Sequence, residues 1–385
     1  MPNKPIRILQ VQSSMDRGGA ETLVMSLYRK INREHVQFDF VVNSEQRGAY
    51  EEEILQLGGR VIRCPAFKGY NLIGYVRWWK KFLAHSEYRV IHSHIFGTAS
   101  IFLSVARAQG LHTICHSHST SNGKGLYSAI KYLFQLPVRY VSDSMIACSD
   151  DAGKWLYGKK VVQNPRYEVW KNGIDVQAFR FDRERRDRVR AQLGITDQVV
   201  LGHVGRFIPV KNHKFLIKVF KAYHESQPKS VLLLMGDGPL VEEAKELARE
   251  LGIGEYVLFL GVRSDIPDLL DAMDCFLLPS LYEGFPISAV EAQTSGLVCL
   301  ISDRVPHDIQ ISDDLTFIPI DNGVQPWCDA LLASQNPSDR EQAYKRVVDQ
   351  GYDITETAAY VERFYREVYA GHMSPTHRAH AHDEK

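Results

Sequence analysis

Two glutamates in the second half of the chain, Glu283 and Glu291, have a spacing that suggests ligand chemistry. An apolar run, 275–279, leads into a loop that contains Glu283, and a helix is predicted to begin near Ile287. A loop carboxylate can accept hydrogen bonds from sugar hydroxyls, and Glu291 can accept both hydroxyls of a ribose. The N–H groups of Ile287 and Ser288 are expected to be free for a phosphate. A lone glutamate on a helix is usually only solvated, but this ordered set predicts a nucleotide-sugar site.

Two cations follow the first apolar run of the same half. Arg206 and Lys211 lie in the stretch 205–212, directly after a predicted strand. A planar guanidinium and an ammonium can both bind a diphosphate. A further turn, 236–239, follows the next strand, and its glycines allow a ligand to approach the backbone closely. Alone this segment is only a turn, so its predicted role depends on the neighbouring motifs.

A glycine pair in the first half, Gly18-Gly19, follows the first predicted strand and precedes a helix. Such a turn presents backbone N–H groups and the positive end of the helix dipole to a phosphate, although a plain tight turn has the same sequence. The dinucleotide fingerprint G-x-G-x-x-G is absent here, which argues against a Rossmann dehydrogenase.

Two histidine pairs, His92 with His94 and His116 with His118, end predicted strands of the first half. A structural role and a role beside a reacting sugar are both open for each pair. Metal binding is not predicted, because no third ligand with convincing spacing is visible in the sequence.

Short apolar runs alternate with helical patterns in both halves, which predicts parallel sheets covered by helices on both faces. The predicted strands are 6–11, 38–42, 60–63, 90–94, 113–116 and 144–148, then 199–204, 230–235, 256–260, 275–279, 298–301 and 316–318. The chain is therefore predicted to form two doubly wound α/β domains that meet within 175–190, where charged residues crowd. Ligands bind beyond the carboxyl ends of such strands. We expect the two domains to face each other, with the final helix, 355–369, crossing back to the first.

Charge is divided unevenly, although the formal net charge is zero. Residues 1–180 carry a net charge of +10 and residues 181–385 a net charge of −10. A basic half suits an anionic membrane or a phosphorylated acceptor. Nucleic acid is not an expected partner, because no zinc spacing, RNA-binding aromatic signature or concentrated basic run is present. The aromatic and basic stretches 78–81 and 124–140 are expected to lie on a membrane surface, although aromatics at helical spacing are more often core.

Targeting signals are not evident in the sequence. The first residues lack a signal-peptide core, and no apolar stretch approaches the length of a membrane span. We therefore predict a cytoplasmic protein that is at most peripheral on the inner face of the membrane.

The six cysteines are expected to be buried free thiols. The end of the chain, 371–385, is polar and His-rich and is expected to be a flexible tail.

Taken together, these motifs resemble the retaining glycosyltransferases of family 4, in particular those that build bacterial capsules and exopolysaccharides. The resemblance covers almost the whole chain. It includes Gly18-Gly19, a His-x-His after a strand, the segment 172–175 at the domain junction, Arg206 with Lys211, and the Glu283…Glu291 stretch. It implies the GT-B fold, with an N-terminal acceptor domain at 1–176, a donor domain at 177–354 and a C-terminal helix at about 355–370 that joins the first domain.

The resemblance also implies roles for single residues. Its catalytic residues would be His116, His118, Arg206, Lys211 and Glu283, with His116 the better match of the two histidines. Its donor-binding residues would be Gly18, Gly19, Arg206, Lys211, Gly236, Val262, Arg263, Glu283, Gly284, Phe285, Pro286, Ile287, Ser288 and Glu291. The implied reaction moves a hexose from a nucleotide diphosphate sugar, a UDP-sugar above all, to a glycan or lipid-diphosphate-linked acceptor by front-face attack with retention of the anomeric configuration.

No metal or other cofactor is expected. The two cations and a helix N-terminus can stabilise the departing diphosphate, and no Asp-x-Asp motif in a suitable context is present. Three alternatives remain: a nucleotide-sugar 2-epimerase, a phosphorylase, and a sugar-nucleotide-binding partner with little activity. The epimerase needs other motifs, the phosphorylase needs a pyridoxal lysine, and the full set of site residues argues against an inactive partner.

Overall fold

The computed structural model describes residues 4–119, 132–334 and 339–371. Within them the chain forms two compact units, 1–173 with 354–385, and 174–353. The predicted boundary segment, 175–190, is mostly helical and belongs to the second unit, and the division lies between residues 173 and 174. Its arginines are neutralised there, since Arg185 pairs with buried Asp271 at 2.5 Å. Crowded charge therefore marks a paired helix and not a linker.

The first unit contains a parallel sheet in the order β3-β2-β1-β4-β5-β6-β7. Its strands are β1 (Ile6–Gln12), β2 (Val36–Val42), β3 (Val61–Arg63), β4 (Val90–Ser93), β5 (His112–Ser117), β6 (Ser144–Ala147) and β7 (Tyr167–Val169). The helices before the boundary are α1 (Gly19–Lys30), α2 (Glu51–Gln56), α3 (Leu72–Ala84), α4 (Ala99–Ala108), α5 (Val138–Val141) and α6 (Asp150–Tyr157), with a 3-10 turn at Val161–Gln163. Strand β7 was not predicted, because its three residues have the charged Glu168 at their centre and so do not form an apolar run.

The second unit contains a parallel sheet in the order β10-β9-β8-β11-β12-β13. Its strands are β8 (Val199–Val204), β9 (Ser230–Met235), β10 (Val257–Gly261), β11 (Cys275–Leu278), β12 (Val298–Ser302) and β13 (Leu315–Ile318). Its helices are α7 (Val176–Phe179), α8 (Arg183–Gln192), α9 (His213–Ser226), α10 (Val241–Glu250), α11 (Ile266–Ala272), α12 (Ile287–Thr294), α13 (Gln325–Ala333) and α14 (Ala343–Asp349). Single 3-10 turns lie at Pro209–Lys211, Gly254–Tyr256, His307–Ile309 and Arg340–Gln342.

The last helix, α15 (Ile354–Ala370), returns to the first unit. It packs against α1 and the sheet, and the buried ring of Tyr365 meets Phe38 edge-on at 5.7 Å. The predicted return of the final helix to the first domain is thus confirmed. The six cysteines are free and buried, as expected.

Each sheet changes direction at one point. In the first unit the chain builds outward from β1 to β3 and then returns to the other side of β1 with β4, and β8 and β11 have the same relation in the second unit. Loops at the carboxyl ends of such a strand pair diverge and leave a crevice, where ligands of doubly wound sheets bind. The predicted motifs follow these strands.

Candidate functional site

The loops after β8 and β11 lie together at the direction change of the second sheet. The Lys211 Nζ donates to Glu283 Oε1 at 2.6 Å, and both side chains are mostly buried, at 17% and 13% exposure. Asn212 has a left-handed backbone (φ 57°), and its Nδ2 donates to the Pro279 carbonyl at 3.3 Å. Asparagine is one of the few non-glycine residues that adopt this conformation readily. The turn thus fixes a cation beside a carboxylate of the neighbouring loop.

Arg206 lies in the same loop but is exposed, and within the described ranges it has no ion-pair partner. A guanidinium without a protein carboxylate keeps its fork of N–H donors for a phosphate. Arg206 and Lys211 therefore supply one free cation and one that is shared with Glu283.

The turn 236–238 packs directly against the Arg206 loop. The Phe207 N–H donates to the Asp237 carbonyl at 2.8 Å, and the Gly205 N–H donates to the Met235 carbonyl at 3.0 Å. A Cβ on Gly236 would lie 2.1 Å from the Gly205 carbonyl oxygen. Glycine is therefore required here, because the two backbones are in contact. The turn holds the loop that carries Arg206.

Helix α12 begins directly after the Glu283 loop. Its first N–H groups, of Ile287 and Ser288, have no hydrogen-bond acceptor among the residues that the structure describes, as the sequence predicts for a phosphate site. Pro286 precedes the helix, and the buried ring of Phe285 stacks on Tyr352 at 5.7 Å. The stack anchors the loop so that its backbone is held at the helix N-terminus.

Glu291 lies one turn into α12. No hydrogen bond to its carboxylate is made within the described part of the chain, and burial raises the pKa of Glu291 to about 7. A desolvated carboxylate without donors is well suited to accept hydroxyl groups from a ligand.

The remaining donor-site prediction, Val262 with Arg263, follows the end of β10. Val262 is half exposed, and Arg263 forms a two-pronged ion pair with Asp265, at 2.8 and 2.6 Å. The Gly236 N–H donates to the Gly261 carbonyl at 2.8 Å, which ties this strand end to the glycine turn. The predicted backbone contact with a base thus lies on a strand end next to the turn.

Three residues of the second unit were missed by the sequence reasoning. The Oγ of Ser280 and both ring nitrogens of His213 are buried without partners among the described residues, and Tyr352 forms the stack under Phe285. His213 stacks on Phe207 at 3.8 Å, and burial, helped by the charge of Lys211, lowers its pKa to about 4. The position of His213 directly after Lys211-Asn212 was the available signal.

In the first unit, Gly18 and Gly19 lie where the sequence predicts, after β1 and at the start of α1. Gly18 is the residue before the helix, and a Cβ there would meet a carboxylate oxygen of Glu21 at 2.2 Å. A Cβ on Gly19 would meet nothing within 4 Å. The open side of Gly19 leaves its backbone accessible to a ligand.

The four predicted histidines share one face of the first sheet. Strand β4 pairs with β1 on one side, where Gln10 lies opposite His92, and with β5 on the other, where Ser93 lies opposite Cys115. The histidine pairs at the ends of β4 and β5 are therefore neighbours. Their rings stack at 4.3 Å for His92 with His94, and lie 4.0 Å apart for His116 with His118. His116 is 1% exposed, whereas His118 is partly exposed, so that a ligand reaches His118 first.

The predicted membrane face is only partly a surface. Trp79 is fully buried in the core of the first unit, and half-buried Trp78 stacks on Phe82 at 5.0 Å, because α3 turns these rings inward. Part of the second stretch, 124–140, lies outside the described residues, as do the tail histidines His372, His377, His380 and His382. Within the described ranges no helix is long and apolar enough to cross a membrane.

Comparison with known proteins agrees with this geometry. The family model for Glycosyltransferase Family 4 matches residues 17–178, and the model for Glycosyl transferases group 1 matches residues 185–320. The putative glycosyltransferase EpsF of Bacillus subtilis (strain 168) is 36% identical over 93% of this chain and 96% of its own length. The chain belongs to glycosyltransferase family 4. This confirms the resemblance drawn from the motifs.

A solved structure shares this architecture, and a further relative is similar in sequence. The crystal structure of Anabaena HepE in complex with UDP-glucose matches with a TM-score of 0.77 at 20% identity, over 94% of this chain and 100% of that one. An Escherichia coli relative named as a UDP-Gal:alpha-D-GlcNAc-diphosphoundecaprenol alpha-1,3-galactosyltransferase is 27% identical over 66% of this chain and 67% of its own length. The predicted GT-B fold is confirmed, and this family 4 protein is a glycosyltransferase.

Proposed function

We propose that this glycosyltransferase moves a hexose-type sugar from UDP to a glycan or lipid-linked acceptor in polysaccharide biosynthesis. The observation that carries the proposal is the arrangement in the second unit, where the Lys211–Glu283 pair, the free N–H groups of α12 and the unpartnered Glu291 carboxylate follow one strand pair. Each group matches one part of a nucleotide sugar: the diphosphate, the sugar and the ribose. UDP in the HepE complexes and in the name of the E. coli relative supports uridine as the base.

In this proposal Arg206 and Lys211 bind the diphosphate and stabilise the negative charge that develops as it leaves. Fixed cations and helix N–H groups aimed at developing charge lower the barrier most. Glu283 and the backbone of Gly284–Pro286 hold the transferred sugar, and Glu291 holds the ribose. Gly19 offers a further backbone N–H, and Val262 and Arg263 meet the base. Of the two histidines that the resemblance assigns to catalysis, partly exposed His118 is the one we propose to meet the substrate.

A binding screen tests the proposal directly. A ligand that binds only the folded protein raises its unfolding temperature in proportion to affinity and concentration. UDP-hexoses are expected to raise it more than the corresponding ADP- and GDP-sugars do. The Glu291→Gln variant should lose most of this shift. Equal stabilisation by all bases, or none by any nucleotide sugar, would contradict the proposed donor.

Retention and metal independence form the chemical part of the proposal. Front-face attack, with the acceptor hydroxyl losing its proton to the departing phosphate, keeps the anomeric configuration, and the two cations take the place of a divalent ion. UDP release from the donor should therefore continue in EDTA without loss, and the NMR coupling of the product should show the donor's anomer. Activity that EDTA abolishes and Mn²⁺ or Mg²⁺ restores, or an inverted product, would refute this part.

The pH dependence of donor binding follows from Glu291, whose pKa burial raises to about 7. Ribose hydroxyls donate to the charged carboxylate, so that binding is coupled to loss of its proton. Affinity is then full above about pH 7 and falls as the pH drops through that value, by at most about tenfold per pH unit. Calorimetry with UDP-glucose, whose diphosphate does not titrate in this range, measures it. Glu291→Gln should bind weakly and without the inflection, and a flat profile for the parent protein would sink the assignment.

The acceptor is proposed to bind the first unit, with the glycan carrier held at an anionic membrane surface. The basic excess of residues 1–180 and the exposed side chains of Tyr70 and Ile73, at 86% and 74% exposure, support this. Co-sedimentation with liposomes should increase with anionic lipid. Binding that does not depend on the anionic lipid content would contradict only the membrane part of the proposal.

A further inference from the structure

The stacked histidines of the first sheet contain a feature that sugar transfer does not use. His92, His94 and His116 each offer a ring nitrogen, and these three atoms lie within 4.8 Å of one another. All three side chains are buried, at 1%, 6% and 1% exposure. We propose that they form a transition-metal site, with Zn²⁺ as the ion that suits it best.

The hydrogen bonds around the cluster leave several nitrogens without partners. His92 Nε2 and both nitrogens of His116 have none within the part of the chain that the structure describes. Buried polar atoms are almost always paired in native proteins, so that three orphans in one cluster require an explanation. A metal ion that accepts the lone pairs of His92 Nε2 and of one nitrogen of His116 accounts for two of the three.

A second layer of hydrogen-bond partners surrounds these rings. His92 Nδ1 lies 2.6 Å from the hydroxyl of Tyr365; in the tautomer in which Nδ1–H donates to this oxygen, the Nε2 lone pair is free. The Gln10 Nε2 donates to the same hydroxyl at 3.1 Å, and Gln10 Oε1 accepts from His94 Nε2 at 2.9 Å. With Nε2 protonated, His94 Nδ1 is the acceptor toward His118 Nε2, 2.9 Å away, and an ion bound at Nδ1 would replace this hydrogen bond. Partners of this kind fix the tautomer and direction of metal-bound histidines.

The chemistry of the set selects the ion. Imidazole nitrogens without thiolates or carboxylates suit Zn²⁺ and its neighbours in the first transition row, and not Mg²⁺ or Ca²⁺. Burial of all three rings favours the neutral imidazole, the form that binds a metal. Zn–N bonds of about 2.0–2.1 Å bring the nitrogens to about 3.4 Å from one another. The ring planes of His92 and His94 lie at 26° to each other and those of His92 and His116 at 15°, so metal binding requires the rings to turn until their lone pairs point at one ion.

The consequence for the histidines is a division of roles. His116 is a ligand below the surface, and partly exposed His118 remains as the imidazole that a substrate meets. Such an ion differs from a Mn²⁺ or Mg²⁺ ion on a diphosphate, which takes oxygen ligands. The site is therefore compatible with transfer that needs no added Mn²⁺ or Mg²⁺.

Cobalt titration of the full chain tests the site. His372, His377, His380 and His382 are first replaced by alanine so that they cannot compete, and the protein is stripped with a chelator. One Co²⁺ per chain is expected, with the strong visible absorption of a tetrahedral site, which Zn²⁺ displaces while it raises the unfolding temperature. His92→Ala and His116→Ala should each weaken binding by more than about 100-fold, and Tyr365→Phe by about 10–100-fold. Replacement of the exposed His85 by alanine is the matched control and should change nothing.

A spectroscopic measurement keeps the test decisive if a variant fails to fold. The X-ray absorption spectrum of the Zn²⁺-loaded parent should show three nitrogen neighbours at about 2.0–2.1 Å. Absence of bound Co²⁺ in the parent, a shell of sulfur or oxygen only, or undiminished binding by folded His116→Ala would each overturn the proposal.

Discussion

Replacing Lys211 by alanine should lower the rate of UDP release from the donor by about 10²–10³-fold. Removing one preorganised donor to a developing negative charge typically costs about 2.7–4 kcal/mol of transition-state stabilisation. Lys211 is placed for this role because it is mostly buried and held by Glu283 at 2.6 Å. The rate of UDP release is measured at saturating UDP-sugar, so that a weaker donor affinity alone does not lower it.

Lys214, the second residue of α9 and three residues after Lys211, provides the matched control. It is 64% exposed and pairs with Glu243 at the surface, at 3.4 Å. Lys214→Ala removes the same charge from the same segment and should leave turnover within about twofold, because exposed pairs contribute at most about 1 kcal/mol. Comparable losses in both variants would mean that general electrostatics, and not the position of Lys211, governs the rate. A Lys211→Ala protein with nearly normal turnover would remove this residue from the mechanism.

The second large effect is expected for Gly236→Ala. The new Cβ would lie 2.1 Å from the Gly205 carbonyl oxygen, and the glycine has φ 137°, which other residues rarely adopt. The atoms that the new Cβ would meet belong to the backbone of Gly205 and Arg206, so they cannot move aside as a side chain would. Strain and displacement together should cost about 2–5 kcal/mol of the free energy of unfolding of the second unit, and the displaced Arg206 loop should lose donor binding.

Gly252→Ala separates the clash from the backbone conformation. Gly252 also has a positive φ, 71°, but a Cβ there meets nothing within 4 Å. It should cost only about 1–2 kcal/mol and leave donor binding intact. Urea denaturation and calorimetry with a UDP-sugar measure both quantities in both variants. If Gly236→Ala were no worse than Gly252→Ala, the tight packing of the two loops would have no energetic importance.

Local sequence was sufficient for every strand except β7 and for the order of the motifs. The strands are continuous apolar runs because both faces of each sheet are covered, and glycine and proline mark the loops that follow them. This is why the Glu283…Glu291 stretch was placed correctly on a loop and a helix. The helix boundaries needed only the residues beside them.

Pairings across the sheets could not be predicted in the same way. Lys211 and Glu283 are 72 residues apart, and nothing near either one indicates that they form an ion pair. The third histidine of the proposed metal site was equally hidden, because His116 joins His92 and His94 only through the pairing of β4 with β5. The aromatic face of α3 was partly misassigned for a related reason, since sequence periodicity does not say which side of a helix meets the core.

The return of α15 to the first unit has a consequence for synthesis on the ribosome. The segment 174–353 is continuous in the chain, so the second unit can fold while translation is still in progress. The first unit, most of which precedes the second in the chain, lacks Tyr365 and the other buried side chains of α15 until residues 354–370 have emerged. Until then Gln10 and His92 lack their shared hydroxyl partner, and an apolar surface stays open. The first unit therefore finishes folding after the second. A truncated product that lacks α15 should be a substrate for quality-control proteases and not a partly active enzyme.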